Sequence, residues 1–290
     1  MRNLKLKPLA DSRIHIVGTV RDSAIVIESQ IDTIFKAFSS AFELSMEIIE
    51  SDSEDETLSI LRTLETKHEN LKVMSLGKLG REFPRRTERL AYCRNLLLKN
   101  FRENIENYDY FVVADLDGVN DKLTAEAVIS CWVNQEWDVC TANQAGPYYD
   151  IWALRHEIWC PNDFWKQYYF LRKYGITDDR AKAASIYSRM ITLPADSEWI
   201  QVTSAFGGLA IYRSEILRNA MNYLGIDPSG NEICEHVELH EQLSKRGFKI
   251  FINPGLVNTD FTDHSHAYLR SKTLNVKVKN LVKKTLKITR

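Results

Sequence analysis

Tyr108-Asp109-Tyr110-Phe111-Val112-Val113-Ala114-Asp115-Leu116-Asp117-Gly118-Val119 is an apolar run that ends abruptly in two carboxylates and a glycine. A run of this kind reads as a buried strand. In an open α/β sheet, ligands bind beyond the carboxyl ends of the strands. Asp115 and Asp117, spaced i, i+2 as the chain leaves the sheet, can both reach one crevice. Two carboxylates so placed suit a hard divalent cation and, through it, a phosphate-bearing substrate. The plainer alternative is a strand-end pair that caps the following helix, since Asp is a favoured N-cap.

Outward from this strand the pattern alternates. Arg13 to Val20 reads as a first strand, followed by a helical period from about Ala24 to Phe38. Ser45 to Glu50 is a second strand, Thr57 to Lys67 a helix, Leu71 to Leu76 a third strand and Thr87 to Arg102 a helix. Four strands alternating with helices predict a mainly parallel α/β sheet. Beyond Lys122 a helix runs to about Val133 and a strand over Asp138 to Ala142, after which the spacing becomes irregular. Ile200 to Tyr212 is strand-like around Gly207-Gly208, Glu235 to Lys245 is a short helix, Phe248 to Ile252 a last strand, and Asn253 to His266 a polar loop. The expected organisation is one domain with a ligand-binding half (1–145), an irregular pocket-building half (146–270) and a tail (271–290).

The 290 residues are 44% hydrophobic and 27% charged, with net charge −1, an ordinary globular composition. No run approaches the roughly 18 apolar residues of a membrane span, and Met1 to Arg13 lacks the apolar core of a secretory signal. Cys93, Cys131, Cys140, Cys160 and Cys234 are scattered, without the spacing of a zinc site or the density of a disulfide scaffold. A reducing cytoplasm is the expected location. The charge is unevenly spread: Ser271 to Arg290 holds seven Lys/Arg and no acidic residue, interleaved with Leu, Val and Ile. Such a tail can lie on an anionic membrane at its inner face, or remain a solvated end. An acidic main body without aromatic-basic interleaving argues against nucleic acid as a partner.

Several residues suit the chemistry of a phosphate- and sugar-bearing ligand. Asp117 is the first choice for a metal carboxylate. Gly18 and Thr19, at the end of the first strand, would let backbone approach a base or ribose. Arg89 offers a guanidinium fork for phosphate. Arg86 and Arg89 share a helix face, whereas Arg94 should point elsewhere. Gly207 and Gly208 would admit a sugar close to the backbone, and Tyr149, Asp150 and Trp152 have faces and carboxylate suited to a pyranose. Each has a structural alternative in a turn, a solvated basic face or ordinary core packing.

These motifs, in order, resemble the GT-A nucleotide-sugar glycosyltransferases over residues 13–268. Tyr149-Asp150-Ile151-Trp152-Ala153-Leu154-Arg155, Phe206-Gly207-Gly208-Leu209-Ala210-Ile211-Tyr212-Arg213 and Cys234-Glu235-His236-Val237-Glu238-Leu239-His240 resemble, more narrowly, the cryptococcal capsule-type α-1,3-mannosyltransferase family and its bacterial relatives. The resemblance implies a Rossmann-like, mainly parallel GT-A sheet flanked by helices. It also implies hexose transfer, mannose in this family, from a nucleotide-diphosphate sugar to a glycan or lipid-linked glycan in capsule or lipopolysaccharide synthesis, assisted by Mn²⁺ or Mg²⁺. By the same resemblance, Asp115 faces the ribose or shares the metal. Glu50 and Asp52 belong to the acidic turn that contacts the nucleoside, and Arg89 and Asn95 to the Arg/Asn helix before the metal strand. His264 or His266 would supply a further metal ligand, and Glu235 the active-site carboxylate at a helix start, either general base or acceptor anchor.

Two other functions compete. Asp115-Leu116-Asp117-Gly118-Val119 also matches the first motif of haloacid-dehalogenase-like phosphatases, with Asp115 as nucleophile and Asp117 as acid/base. That motif normally lies on the first strand of its domain, however, and the later acidic pair it needs is represented only by Asp178-Asp179. A non-catalytic nucleotide- or glycan-binding module is the third possibility.

Overall fold

The computed structural model describes residues 5–262 and Ser265. The first strand β1 (Arg13–Val20) is followed by α1 (Ile27–Ala37), β2 (Glu43–Glu50), α2 (Thr57–Lys67), β3 (Leu71–Ser75), α3 (Arg86–Glu103) and β4 (Tyr110–Asp115). Then come α4 (Ala125–Ser130), β5 (Val139–Gln144), α5 (Phe164–Lys173), α6 (Asp178–Ser185), β6 (Ile200–Val202), β7 (Leu209–Arg213), α7 (Ser214–Leu217), α8 (Glu235–Lys245) and β8 (Ile250–Thr259).

The eight strands form one sheet in the order β3-β2-β1-β4-β7-β5-β8-β6. β1, β2, β3 and β4 are mutually parallel where they pair, as are β5 and β8, while β7 and β6 run antiparallel to their neighbours. The result is a mixed, mostly parallel α/β sheet, as the alternating pattern predicts.

Side-chain alternation on the strands divides the core into two layers. Val17, Ile49, Phe111 and Val113 face one side, where they pack with α3 and α8 through Leu97, Leu98, Leu239 and Leu243. Ile16, Ile48, Val112 and Ala114 face the other, covered by α1 and α2 through Ile27, Ile31, Ile34, Leu61 and Leu64. Burial on both faces explains why β4 reads as an unbroken apolar run. The chain passes from β1 outward to β2 and β3 and then returns to place β4 on β1's other side. That reversal opens a crevice at the carboxyl ends of β1 and β4, where Thr19 pairs with Asp115.

Three expectations are corrected. Ile200 to Tyr212 is not one strand: β6 lies on the sheet edge against β8, and β7 sits centrally between β4 and β5. Gly207 (φ +69°) and Gly208 (φ +87°) break the extended chain between them. The polar stretch from Asn253 is not a loop, because β8 continues to Thr259 and pairs Val257 with Asn143 and Thr259 with Gln144 across register shifts. Its Asn253-Pro254-Gly255 signals a turn locally, but pairing with β5 overrides that preference. The irregular region after Arg155 contains α5 and α6, two helices packed together that the aromatic-rich composition obscures. Among the described residues no helix is long and apolar enough to cross a membrane.

Candidate active site

A cavity of about 1050 Å³ occupies the crevice. Its floor is made by the ends of three strands: Thr19 and Val20 after β1, Ser51 and Asp52 after β2, and Asp115 to Val119 after β4. Arg86, Arg89 and Arg94 enter from α3, Tyr149 to Trp152 from the segment after β5, and Glu235 and His236 from the start of α8.

Asp115 is fixed from both sides. Its N–H donates to the Gly208 carbonyl at 2.9 Å, and its carbonyl accepts from the Asn120 amide at 2.7 Å. Its Oδ1 accepts from Arg94 Nη2 at 2.9 Å. The same Arg94 guanidinium contacts Glu235, and it lies 5.3 Å over the Phe206 ring. Arg94 and Glu235 are each 5% exposed, so three charges meet in a largely desolvated place. The buried arginine is sustained by its charge-assisted hydrogen bond to Asp115 and its ion pair with Glu235.

Burial pushes the Asp115 carboxyl up to about 7, with Arg94 opposing and the charges of Asp117 and Asp150 adding to the rise. Asp117 is exposed two residues beyond the strand, on the cavity wall. Asp150 accepts from the Gly207 N–H at 2.9 Å. Three carboxylates thus crowd one end of the cavity. Hard carboxylate oxygens of this kind are the donors a divalent cation takes, and a cation beside Asp115 and Asp117 would offset their repulsion. Among the described residues no group of three or more His, Cys, Asp or Glu is placed so that it could hold a metal ion by itself. His264 and His266 lie outside the described residues.

The end of the cavity after β2 is built by Asp52, which adopts φ +62°. Its N–H donates to Gly77 O at 2.7 Å and its Oδ1 accepts from the Gly80 N–H at 2.9 Å. Arg89 Nε stands 3.8 Å from Asp52 Oδ2, and its Nη1 donates to the Phe83 and Pro84 carbonyls at 2.7 and 2.9 Å. Arg89 therefore lines the cavity with much of its fork already engaged. Trp152 donates its indole N–H to Asp163 at 3.1 Å while its ring faces the cavity. Cys93 also lines the cavity, but burial raises its thiol to about 11, which removes it as a nucleophile.

The structure brings Thr19, Asp52, Arg89, Asp115, Asp117, Tyr149, Asp150, Trp152 and Glu235 to one cavity. Five other residues read as ligand contacts do not line it. Glu50, 3% exposed, closes the turn after β2 by accepting from Ser53 N–H at 3.0 Å and Ser75 Oγ at 2.6 Å. Asn95 is held on the backbone of Tyr223, donating to its carbonyl at 3.0 Å and accepting its N–H at 2.8 Å. A Cβ on Gly18 would lie 2.5 Å from Leu116, so this glycine admits a neighbouring side chain. A Cβ on Gly207 would lie 2.7 Å from the Ala142 carbonyl, and one on Gly208 2.6 Å from Val119. Both glycines sit in the turn whose Gly208 carbonyl holds the Asp115 N–H, with Gly208 against Val119 and Tyr149 of the cavity lining.

Arg94 is the central residue that sequence reading misses. It does not point away from Arg86 and Arg89: its long side chain reaches the same cavity from the buried face of α3. Its one signal is a cation set among Leu90, Ala91, Cys93, Leu97 and Leu98, where only a carboxylate partner could sustain it. His236 is also at the site, stacked on Phe206 with ring centroids 3.8 Å apart. Burial and then Arg94 hold this imidazole's pKa well below its usual range, so its 3.9 Å approach to Glu235 is not an ion pair. Asp178 and Asp179 lie on α6 and do not line the cavity, and Asp178 accepts from the Tyr168 hydroxyl at 2.6 Å and pairs with Lys182 at 2.8 Å.

No family model and no curated protein sequence matches the chain. Among solved structures it is similar to the mannosyltransferase PcManGT from Pyrobaculum calidifontis, determined with GDP-Man and Mn²⁺. The two share 15% identity and a TM-score of 0.54, over 93% of this chain and 63% of that one. S. aureus TarS (residues 1–349, with UDP) aligns at 14% identity and a TM-score of 0.48, covering 89% of this chain and 64% of that one. The chain thus spans less than two thirds of each of these proteins. The first likeness establishes the shared fold: a GT-A-type α/β sheet, the architecture that the ordered motifs imply.

Proposed function

We propose that this chain is a metal-dependent glycosyltransferase that moves a hexose from a nucleotide-diphosphate sugar to a glycan hydroxyl. The observation that carries this is the cluster of Asp115, Asp117 and Asp150 at the switch point of the sheet, tied through Arg94 to Glu235 at the start of α8. The fold it shares with a GDP-mannose-binding mannosyltransferase supports the class of reaction and favours mannose as the sugar. Assembly of a capsule or lipopolysaccharide is the setting that the motif resemblance suggests.

In this reading 1–145 binds the donor and 146–270 the acceptor. Thr19 and Asp52 bound the nucleoside, with Gly18 and Glu50 in the strand ends that carry them and Asn95 tying α3 to Tyr223. Asp117, with Asp115, holds Mn²⁺ or Mg²⁺, which when bound stabilises the departing diphosphate as a Lewis acid. Arg94 balances Asp115 and keeps Glu235 fixed at the cavity wall. Glu235 faces the acceptor hydroxyl, as base in an inverting reaction or as anchor in a retaining one. Tyr149, Asp150 and Trp152 contact the acceptor sugar. The phosphatase alternative needs Asp115 as a free nucleophile, whereas here Arg94 engages one of its oxygens.

The test is thermal unfolding of the protein with UDP, GDP, CDP and dTDP, each with and without Mn²⁺. A ligand at one hundred times its Kd stabilises by about 2.7 kcal/mol. Stabilisation by one nucleoside diphosphate that requires Mn²⁺, and is lost in Asp117→Ala, is the expected result. No response to any nucleotide, together with Mg²⁺-dependent hydrolysis of a phosphate ester, would overturn it in favour of the phosphatase.

A further inference from the structure

The α5–α6 pair has two unlike faces. Inward, Phe164, Trp165, Lys182, Ile186 and Tyr187 line the cavity. Outward, Tyr169, Phe170 and Tyr174 are 63%, 59% and 68% exposed. Clustered exposed aromatic rings mark an interaction surface more often than a solvated one. Tyr169 joins the cavity wall by stacking on Trp165 with centroids 5.7 Å apart, and Phe170 and Tyr174 form a second ring pair 4.9 Å apart.

Charge identifies what the surface meets. Residues 164–185 contain five Lys/Arg against two Asp, in a chain whose net charge is −1. One of those two, Asp178, is already paired with Lys182. Lys166, Arg172 and Lys173 are exposed beside the rings. Tyrosine rings favour the headgroup level of a bilayer, where amphipathic bodies find both apolar and wet surroundings. Lysine and arginine next to them gain from anionic headgroups and reach these along their aliphatic stems.

We infer that the outer face of α5 docks on the surface of an anionic lipid membrane. Tyr169, Phe170 and Tyr174 enter the interfacial layer, and Lys166, Arg172 and Lys173 meet lipid phosphates. The residues of this surface lie within 164–174 of the sequence and are other than the basic stretch 271–290. The docking does not depend on the transferase proposal. Combined with that proposal, it sets the aromatic wall of the cavity against the bilayer, where a lipid-linked acceptor would reside.

Co-sedimentation of the full chain with phosphatidylcholine vesicles, with or without phosphatidylglycerol, tests this. The protein should bind the phosphatidylglycerol vesicles, weakening with salt, and should bind pure phosphatidylcholine far less. Replacing Tyr169, Phe170 and Tyr174 together by Ser should weaken binding roughly tenfold or more, since affinity scales with apolar area inserted. The thermal midpoint and any nucleotide response should stay near wild type, because these rings are exposed. A full-length variant with the 271–290 Lys/Arg changed to Gln should keep binding that still depends on the three rings. Undiminished binding by the Ser variant, absence of wild-type binding, or equal binding to neutral vesicles overturns the inference. A concentration-dependent dimer that the Ser variant abolishes also overturns it, by assigning the face to a second copy. Loss of nucleotide response alone would count against the transferase and leave the docking untouched.

Discussion

At the residue scale, Arg94 holds two carboxylates that belong to different parts of the chain, Asp115 from β4 and Glu235 from α8. Arg94→Met should cost about 3–5 kcal/mol, because it leaves the buried Glu235 carboxylate uncompensated and takes the cation from Asp115. Urea unfolding checks this, and Arg94→Met/Glu235→Gln should recover part of the loss. A single variant within about 1 kcal/mol of wild type would show that the trio is not structural. Gly208 provides a second test. Its φ is +87°, and a Cβ added there would stand 2.6 Å from Val119, so Gly208→Ala should lose roughly 1–3 kcal/mol. It should also weaken Mn²⁺-dependent nucleotide binding, since the Gly208 carbonyl holds the Asp115 N–H.

At the element scale, the site depends on β8 extending to Thr259 behind the strand-end loop. Asn258, fully buried, donates to the Asn120 side chain at 3.0 Å and to the Gly207 carbonyl at 2.8 Å, and accepts from Gln144 at 3.2 Å. Asn120 in turn holds the Asp115 carbonyl. Asn258→Leu should destabilise by about 1–3 kcal/mol by stranding these partners, and should lower turnover more than the stability loss alone explains. Denaturation and steady-state kinetics on the folded fraction separate the two effects. The local sequence obscures this strand because Pro254 and Gly255 are turn formers. By contrast β1, α2 and α8 are legible to the residue, because their apolar periods match the faces they bury.

At the scale of the whole molecule, stability should depend on pH through buried imidazoles. His240 is fully buried between the Ser204 hydroxyl at 3.1 Å and the Tyr212 hydroxyl at 2.6 Å. Burial lowers its pKa to about 3, against about 6.5 in an unfolded chain. The unfolded state therefore binds the proton first as pH falls. The stability from keeping this ring neutral is complete above about 6.5 and is lost on descending to about 3, at up to roughly 1.4 kcal/mol per pH unit. His240→Gln should flatten the stability-pH curve between about pH 4 and 6 by close to one proton. An unchanged slope in paired urea titrations would contradict the assignment.

Composition and period alone determine that this chain makes an α/β sheet with carboxylates at the end of a buried central strand. Both features follow from short-range pattern: an apolar run must be buried, and its polar end must leave the core. The sequence also nominates Asp52, Asp117, Tyr149 and Trp152, which converge on one cavity. It does not show that Glu50 and Asn95 serve the scaffold, because any carboxylate or amide near a strand end looks alike until its partners are known. Nor does it show Arg94 joining Asp115 to Glu235, or β7 entering the sheet between β4 and β5. Those pairings link residues far apart along the chain, and only the closure of the whole sheet decides which distant charges meet.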